Sequence, residues 1–123
     1  MNRVILMGRL TADPELRQTP QGTSVTQFTI AVDRRIKTEN GQQADFITCV
    51  AWRKTAEFIC RYFQKGRMIA IEGQIQSRSW ETQDGKRQYA TEVIVDNVSF
   101  TGEKPQTENT DGFTYLPDDD TPF

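Results

Sequence analysis

Two tryptophans lie beside basic residues, a combination suited to binding a single-stranded nucleic acid. Trp52 is followed by Arg53 and Lys54, and Trp80 comes two residues after Arg78. Bases stack on such rings for roughly 1–3 kcal/mol each, while cations attract the phosphates. The candidate basic residues of the surface are Arg34, Arg35, Arg53, Lys54, Arg78, Lys86 and Arg87.

A binding surface of this kind needs rings that point away from the core, and side-chain alternation along the strands indicates which rings do so. In residues 67–80, one side of the predicted strand carries Ile69, Ile71, Gly73 and Ile75. Trp80 falls on the other side with Arg78 and further polar residues, which predicts an exposed ring. In residues 44–52 both sides are semi-apolar, so the pattern leaves the side of Trp52 open.

Each of these residues, taken alone, has a structural alternative. Trp52 could cap the barrel beside the helix, and Trp80 could be a cross-strand partner in an exposed hairpin. Arg34 and Arg35 could form no more than a solvated turn. The coincidence of rings and cations favours a shared binding surface.

The elements that would position these residues form a β-rich body with one helix. Apolar alternation and β-branched residues predict strands at residues 3–10, 25–32, 44–52, 67–80 and 89–100. Residues 53–66 change to helical periodicity, with Gly66 as the expected stop. Turns are indicated by Asp13-Pro14, residues 19–24 and Asp84-Gly85. The order β-β-β-α-β-β matches the five-stranded Greek-key barrel called the OB-fold, an all-β class, with another small barrel as the alternative.

Charge separates this body from a C-terminal tail. Residues 1–104 hold all 15 Lys and Arg together with 12 acidic residues, whereas the rest of the chain holds five acids and no base. The stretch after residue 102 contains three prolines and shows no periodicity. We therefore expect an OB-fold domain at residues 1–102, a flexible tether at 103–117 and an acidic tip at 118–123.

Several classes of function lack their signals in this sequence. Without any histidine, the chain has no His-dependent triad and lacks the commonest general base, so no enzyme is expected. There is no P-loop motif, and Cys49 and Cys60 do not form a CxxC pair, so neither a cofactor nor a metal is expected. The absence of a long apolar run and of a signal-peptide cleavage site predicts a cytoplasmic protein.

Four segments form an ordered set that is highly specific for one family. The first carries Gly-x-Leu-x-x-Asp-Pro-Glu-x-Arg at residues 8–17, and the second is ADFITCVAWRKTAE. The third runs from KGRMIAIEGQ to VIVDNVSF, and the fourth is the terminal DDDTPF. Together they resemble the bacterial and phage single-stranded DNA-binding proteins, the SSB family, over essentially the whole chain. The resemblance implies an OB-fold that binds single-stranded DNA without strong sequence preference, usually as a homotetramer.

The resemblance also implies roles for individual residues. The family's stacking positions fall on Phe46, Trp52 and Trp80, and Phe46 stands where some members carry tryptophan. A loop position that is aromatic in many members is occupied here by Arg34, Arg35 and Ile36. Either arginine could replace the missing ring by a cation–π contact.

In this family the acidic tip docks onto proteins of DNA replication, repair and recombination. Here the tip consists of Asp118, Asp119, Asp120, Thr121, Pro122 and Phe123. The Phe123 ring and the terminal carboxylate could enter an apolar pocket rimmed by cations, and the aspartates would speed the encounter. Thr121 replaces the isoleucine typical of the family, which removes apolar contact on the order of 1 kcal/mol.

Three other functions remain open. An interaction adaptor would use the OB scaffold mainly to display its tails, an RNA-binding OB protein would prefer RNA over DNA, and a small metal-dependent nuclease would cleave DNA in Mg²⁺. An adaptor would not need the aromatic and basic face, which therefore favours DNA binding.

Overall fold

The chain folds into a closed β-barrel with one helix, and the computed structural model describes residues 1–36, 39, 41 and 43–102. The elements are β1 (Val4–Leu10), β2 (Arg17–Gln18), β3 (Ser24–Asp33), β4 (Ala44–Trp52), α1 (Arg53–Tyr62), β5 (Met68–Glu81) and β6 (Arg87–Ser99). Within these residues, no helix combines the length and the apolar character that crossing a bilayer requires. The predicted tether and tip lie outside the described residues.

Five strands close the barrel in the order β1, β5, β6, β4, β3, and β1 then pairs again with β3. The closing pair joins Arg9 with Ala31 and Leu10 with Ile30. Strands β4 and β6 run parallel, and the other pairs are antiparallel. Gly8 permits the closure, because a Cβ there would lie 2.6 Å from the carbonyl oxygen of Ala31. The predicted OB-fold is confirmed.

One apolar cluster fills the barrel, and α1 packs against it. The buried members of the cluster are Leu10, Phe28, Ile30, Cys49, Ala51, Ala56, Ile59, Phe63, Ile69, Ile71, Val93 and Val95. They alternate with outward side chains along the strands, as a pleated sheet with one buried side requires. Ala56 and Ile59 are the buried residues of α1, one helical turn apart.

The sequence misplaced the end of the helix and missed one short strand. The helix ends at Tyr62 rather than at residue 66, because Phe63 turns to an extended conformation and buries its ring. The Phe63 ring stacks on Phe100, with the ring centroids 5.2 Å apart. Gly66 instead forms a turn at a φ of 86°. The short β2, which pairs with the start of β3, was not predicted at all.

Strands β5 and β6 extend past the barrel as a two-stranded arm, here called the hairpin arm and formed by residues 75–92, since Val93 and Ile94 still pair with β4. A bulge marks its base, since Glu72 pairs with Asn97 but Gly73 pairs with Val95. Gly73 is required there, because a Cβ would come within 2.0 Å of the Ile94 carbonyl oxygen. At the far end, Gly85 has a φ of 85°, which confirms the predicted hairpin turn.

Candidate nucleic-acid interface

A groove of about 590 Å³ lies on the barrel surface, and Trp52 forms part of its wall. Trp52 is the last residue of β4 and the N-cap of α1, where its extended backbone ends the strand. Its side chain is 42% exposed, so the ring is half-buried at the start of the helix with one part open to the groove. The sequence did not decide on which side of β4 Trp52 lies. The structure puts it on the outer side, where it also borders the helix.

Trp80 lies on the hairpin arm and is 40% exposed. The guanidinium carbon of Arg78 is 4.7 Å from the centre of its ring, a cation–π contact. Arg78 also pairs with Glu92, with 3.1 Å between Nε and Oε1. This pairing raises the pKa of Arg78, chiefly through the hydrogen bonds to Glu92. The predicted alternation of β5 is confirmed at Trp80, because its ring shares a side of the strand with Arg78.

Phe46 is the most exposed of the three predicted stacking residues, at 67%. It lies on the same side of β4 as Trp52, six residues earlier, which corresponds to roughly 20 Å along the strand. The parallel pairing of β4 with β6 puts the start of β4 and the hairpin arm at the same end of the barrel. Phe46 and Trp80 thus lie towards one end of the surface, and Trp52 lies towards the other.

Arg34 is held by an acid of the neighbouring strand. Its Nη2 donates to Oδ1 of Asp45 at 2.7 Å, and its Nε donates to both carboxylate oxygens. These hydrogen bonds lower the pKa of Asp45 and raise that of Arg34. Arg35 and Ile36 are exposed beside it. Arg34 is therefore already paired, and Arg35 is the more available of the two arginines for a ligand.

The remaining predicted cations are exposed at two sites of the surface. Arg53 and Lys54 open α1 directly after Trp52, and Lys86 and Arg87 follow the turn of the hairpin arm. Within the described part of the chain, no ion pair engages any of these four side chains or Arg35. Arg53 has a φ of 58°, a left-handed conformation that costs a non-glycine residue about 1–2 kcal/mol.

The groove also contains residues that the sequence did not indicate. Arg17, Gln76 and Glu92 join Trp52 and Arg78 in lining it. The sequence could have indicated Gln76, because it precedes Arg78 by two residues on the same side of β5. It could not have indicated Arg17 and Glu92, since their place in the groove depends on which strands pair and in which register.

The two cysteines have no role at this surface. Cys49 is fully buried in the core, and burial raises the pKa of its thiol to about 12. Cys60 is on α1 and partly buried. Among the residues that the structure describes, no group of three or more Cys, Asp or Glu side chains is arranged to hold a metal ion.

Comparison with known proteins places the chain among close relatives. A model of the single-strand binding protein family matches residues 1–101. The chain is 48% identical over 115 residues to single-stranded DNA-binding protein 2 of Listeria monocytogenes, which covers 93% of this chain and 71% of that protein. It is 45% identical over 129 aligned positions to single-stranded DNA-binding protein 1 of Streptococcus pyogenes, covering 100% and 99%. The single-stranded DNA-binding protein of Bacillus cereus is 52% identical over 101 residues, which span 81% of this chain and 59% of that protein.

Proposed function

Because the chain belongs to the single-strand binding protein family, we propose that it binds single-stranded DNA without strong sequence preference and protects it during replication, recombination and repair. The family consists of DNA-binding proteins rather than enzymes. The proposed setting is the cytoplasm, at the nucleoid.

The observation that carries this proposal is the exposure of three aromatic rings on outward sides of the sheet. Phe46, Trp52 and Trp80 all keep a large part of their surface open to solvent. Exposed rings that lie near cations are the combination used by proteins that bind single strands. Bases of any sequence can stack on them, because every base has a π face.

The cations around the rings are suited to the phosphates. Arg53 and Lys54 lie beside Trp52 at the start of α1, where the first turn carries no acidic residue and no side-chain cap. The positive end of the helix dipole therefore adds to their charge. Lys86 and Arg87 supply the same charge at the hairpin arm, and Arg35 supplies it near Phe46. Binding that uses these five cations weakens as salt rises, because phosphate contacts release counterions.

We further propose that the chain assembles as a homotetramer. Ile5 and Met7 point outward from β1 and are exposed, which is unusual for two large apolar side chains on one strand. A second copy of the chain could cover them. Sedimentation should give four times the chain mass, and a monomer at micromolar concentration would contradict this assembly.

Titration of labelled oligonucleotides, followed by fluorescence polarisation, tests the proposed activity. Oligo-dT and oligo-dA should bind with similar affinity, RNA of the same sequence should bind more weakly, and duplex DNA should bind least. Preference for RNA would favour the RNA-binding alternative, and absence of binding would favour an adaptor. Cleavage of the labelled strand in Mg²⁺ would indicate a nuclease.

Partner recruitment is proposed for Asp118, Asp119, Asp120, Thr121, Pro122 and Phe123. Deletion of these residues should abolish capture of replication, repair and recombination proteins by the immobilised chain. The affinity for DNA should stay equal or rise slightly, because an acidic tail competes with phosphate for the basic face. Thr121→Ile is the matched control and should strengthen capture by about 1 kcal/mol. A clear loss of DNA affinity on deletion would argue against separate roles.

A further inference from the structure

Glu92 is an acid buried within a surface that is otherwise suited to a polyanion. Its side chain is 7% exposed, although it lines the same groove as Trp52 and lies opposite Gln76. A buried carboxylate is unfavourable unless it is paired and hydrogen-bonded. Here both oxygens are engaged by Arg78, with Nε 3.1 Å from Oε1 and Nη2 3.2 Å from Oε2.

The register of the hairpin arm puts this pair on the same side of the two strands as Trp80. Glu92 lies opposite Gln76, Arg78 opposite Ala90 and Trp80 opposite Gln88, so the three side chains follow one another along one side of the two strands. The Arg78 guanidinium is planar and lies 4.7 Å from the centre of the Trp80 ring. A guanidinium that is fixed by a carboxylate is a suitable support for an aromatic ring.

The charges of the pair set a limit on what Arg78 can contribute to phosphate binding. The carboxylate of Glu92 cancels its charge, so a phosphate that approaches Arg78 releases little bound counterion. The cations Arg53, Lys54, Lys86 and Arg87 differ in this respect, because no acid pairs with them in the described part of the chain. Salt dependence can therefore distinguish the two kinds of cation.

We propose that Glu92 is a positioning residue for DNA binding, which holds Arg78 against Trp80 so that the indole is presented to a base. In this arrangement Arg78 supports the ring and does not serve as a phosphate ligand. The inference rests on the proposed function, since it explains how one ring of the DNA-binding surface is held in place.

Fluorescence of the free protein tests the placement without any DNA. The chain contains two tryptophans, so Trp52→Phe leaves Trp80 as the only reporter. In that background, Glu92→Gln should increase the quenching of Trp80 by acrylamide and shift its emission, because Arg78 is released from the ring. Glu81→Gln is the matched control, which removes the same charge from the opposite side of β5 and should change neither quantity. Identical Trp80 signals in the Glu92→Gln and parent proteins would overturn the placement.

Salt titrations with oligo-dT test the role in binding. Arg78→Met should lower the affinity several-fold and leave the slope of log affinity against log salt unchanged. A phosphate ligand would instead make the slope shallower by about 0.7 when it is removed from a single-strand complex. That result at Arg78 would overturn the proposal. Glu92→Gln should make the slope steeper, because the charge of Arg78 is no longer cancelled.

A conservative variant covers the case in which Glu92→Gln does not fold. Arg78 is exposed, so Arg78→Lys should fold, as circular dichroism can verify. Lysine keeps the charge and loses the planar fork, so the proposal expects the same affinity loss as for Arg78→Met. Wild-type affinity for Arg78→Lys would contradict it. If the unaltered chain fails to bind oligo-dT, the proposed function fails, while the free-protein fluorescence still decides whether Glu92 fixes Arg78 on Trp80.

Discussion

Strand β5 belongs to two regions that differ in what holds them together. In the barrel, Ile69 and Ile71 are almost fully buried in the shared core. In the hairpin arm, Ile75 continues the same side of the same strand and is 48% exposed. The pattern of residues is the same, but the barrel core that covers it ends at Val93, the partner of Ile75. The arm is therefore held by its ladder of backbone hydrogen bonds and by side-chain pairs such as Arg78 with Glu92.

This difference suits the two rings that the regions carry. Trp52 and Trp80 are nearly equally exposed, but Trp52 is anchored between the end of β4 and the start of α1. Trp80 lies where the residues of β5 are exposed on both sides, and the contact to its ring comes from Arg78. The barrel therefore holds one of the proposed stacking residues, and the arm holds another.

Truncating an isoleucine should lower the free energy of unfolding much more in the barrel than in the hairpin arm. Ile71→Ala leaves a cavity in the barrel and should lower the free energy of unfolding by about 2–5 kcal/mol. Ile75→Ala removes the same atoms from the arm and should cost less than about 1 kcal/mol, because the side chain is already half exposed. Urea denaturation followed by circular dichroism measures both. Equal losses would mean that the arm is packed as tightly as the barrel.

A smaller effect should appear in DNA affinity alone. Trp80→Ala should weaken binding to oligo-dT by roughly 1–3 kcal/mol and leave the thermal midpoint almost unchanged, because the ring stacks on a base and not on the core. Tyr89 is an exposed aromatic residue paired with Ser79 on the opposite side of the arm. Tyr89→Ala should change the affinity by less than about 0.5 kcal/mol. Equal effects of the two variants would refute Trp80 as a specific stacking residue.

The smallest effect concerns the backbone beside Trp52. Arg53→Gly relieves a left-handed conformation worth about 1–2 kcal/mol and adds chain flexibility worth about 0.5–1 kcal/mol. Denaturation should therefore show a net gain in stability of about 0.5 kcal/mol, accompanied by weaker binding of oligo-dT. Lys54→Gly is the control, since Lys54 has no left-handed φ and a glycine in the helix should lower the stability by up to about 1 kcal/mol. If Arg53→Gly leaves DNA affinity unchanged, Arg53 makes no phosphate contact.

The sequence predicted what depends on local pattern. Alternation in β5 placed Trp80 on an outer side, and the Asp84-Gly85 pair located the hairpin turn. The strand order and the change of period at residue 53 were sufficient for the OB-fold. These features depend on neighbouring residues in the chain, which the sequence displays directly.

What depends on distant residues escaped prediction. The helix ends at Tyr62 because Phe63 packs on Phe100, from the other end of the body. Arg34 and Arg78 were identified as cations for DNA, but their pairing with Asp45 and Glu92 follows from strand register. The sequence therefore identified the basic residues but could not indicate which of them form an ion pair with an acidic residue.

Tryptophan fluorescence during titration with oligo-dT, at low and high salt, shows whether the exposed rings bind DNA. It should be measured on the full chain and on a version that ends at Pro117. Base stacking on Trp52 and Trp80 should give strong quenching, the affinity should fall as salt rises, and binding should persist in the shortened chain. If neither protein showed quenching or binding, the proposed DNA binding would be contradicted. The acidic tip would then remain as the main functional element.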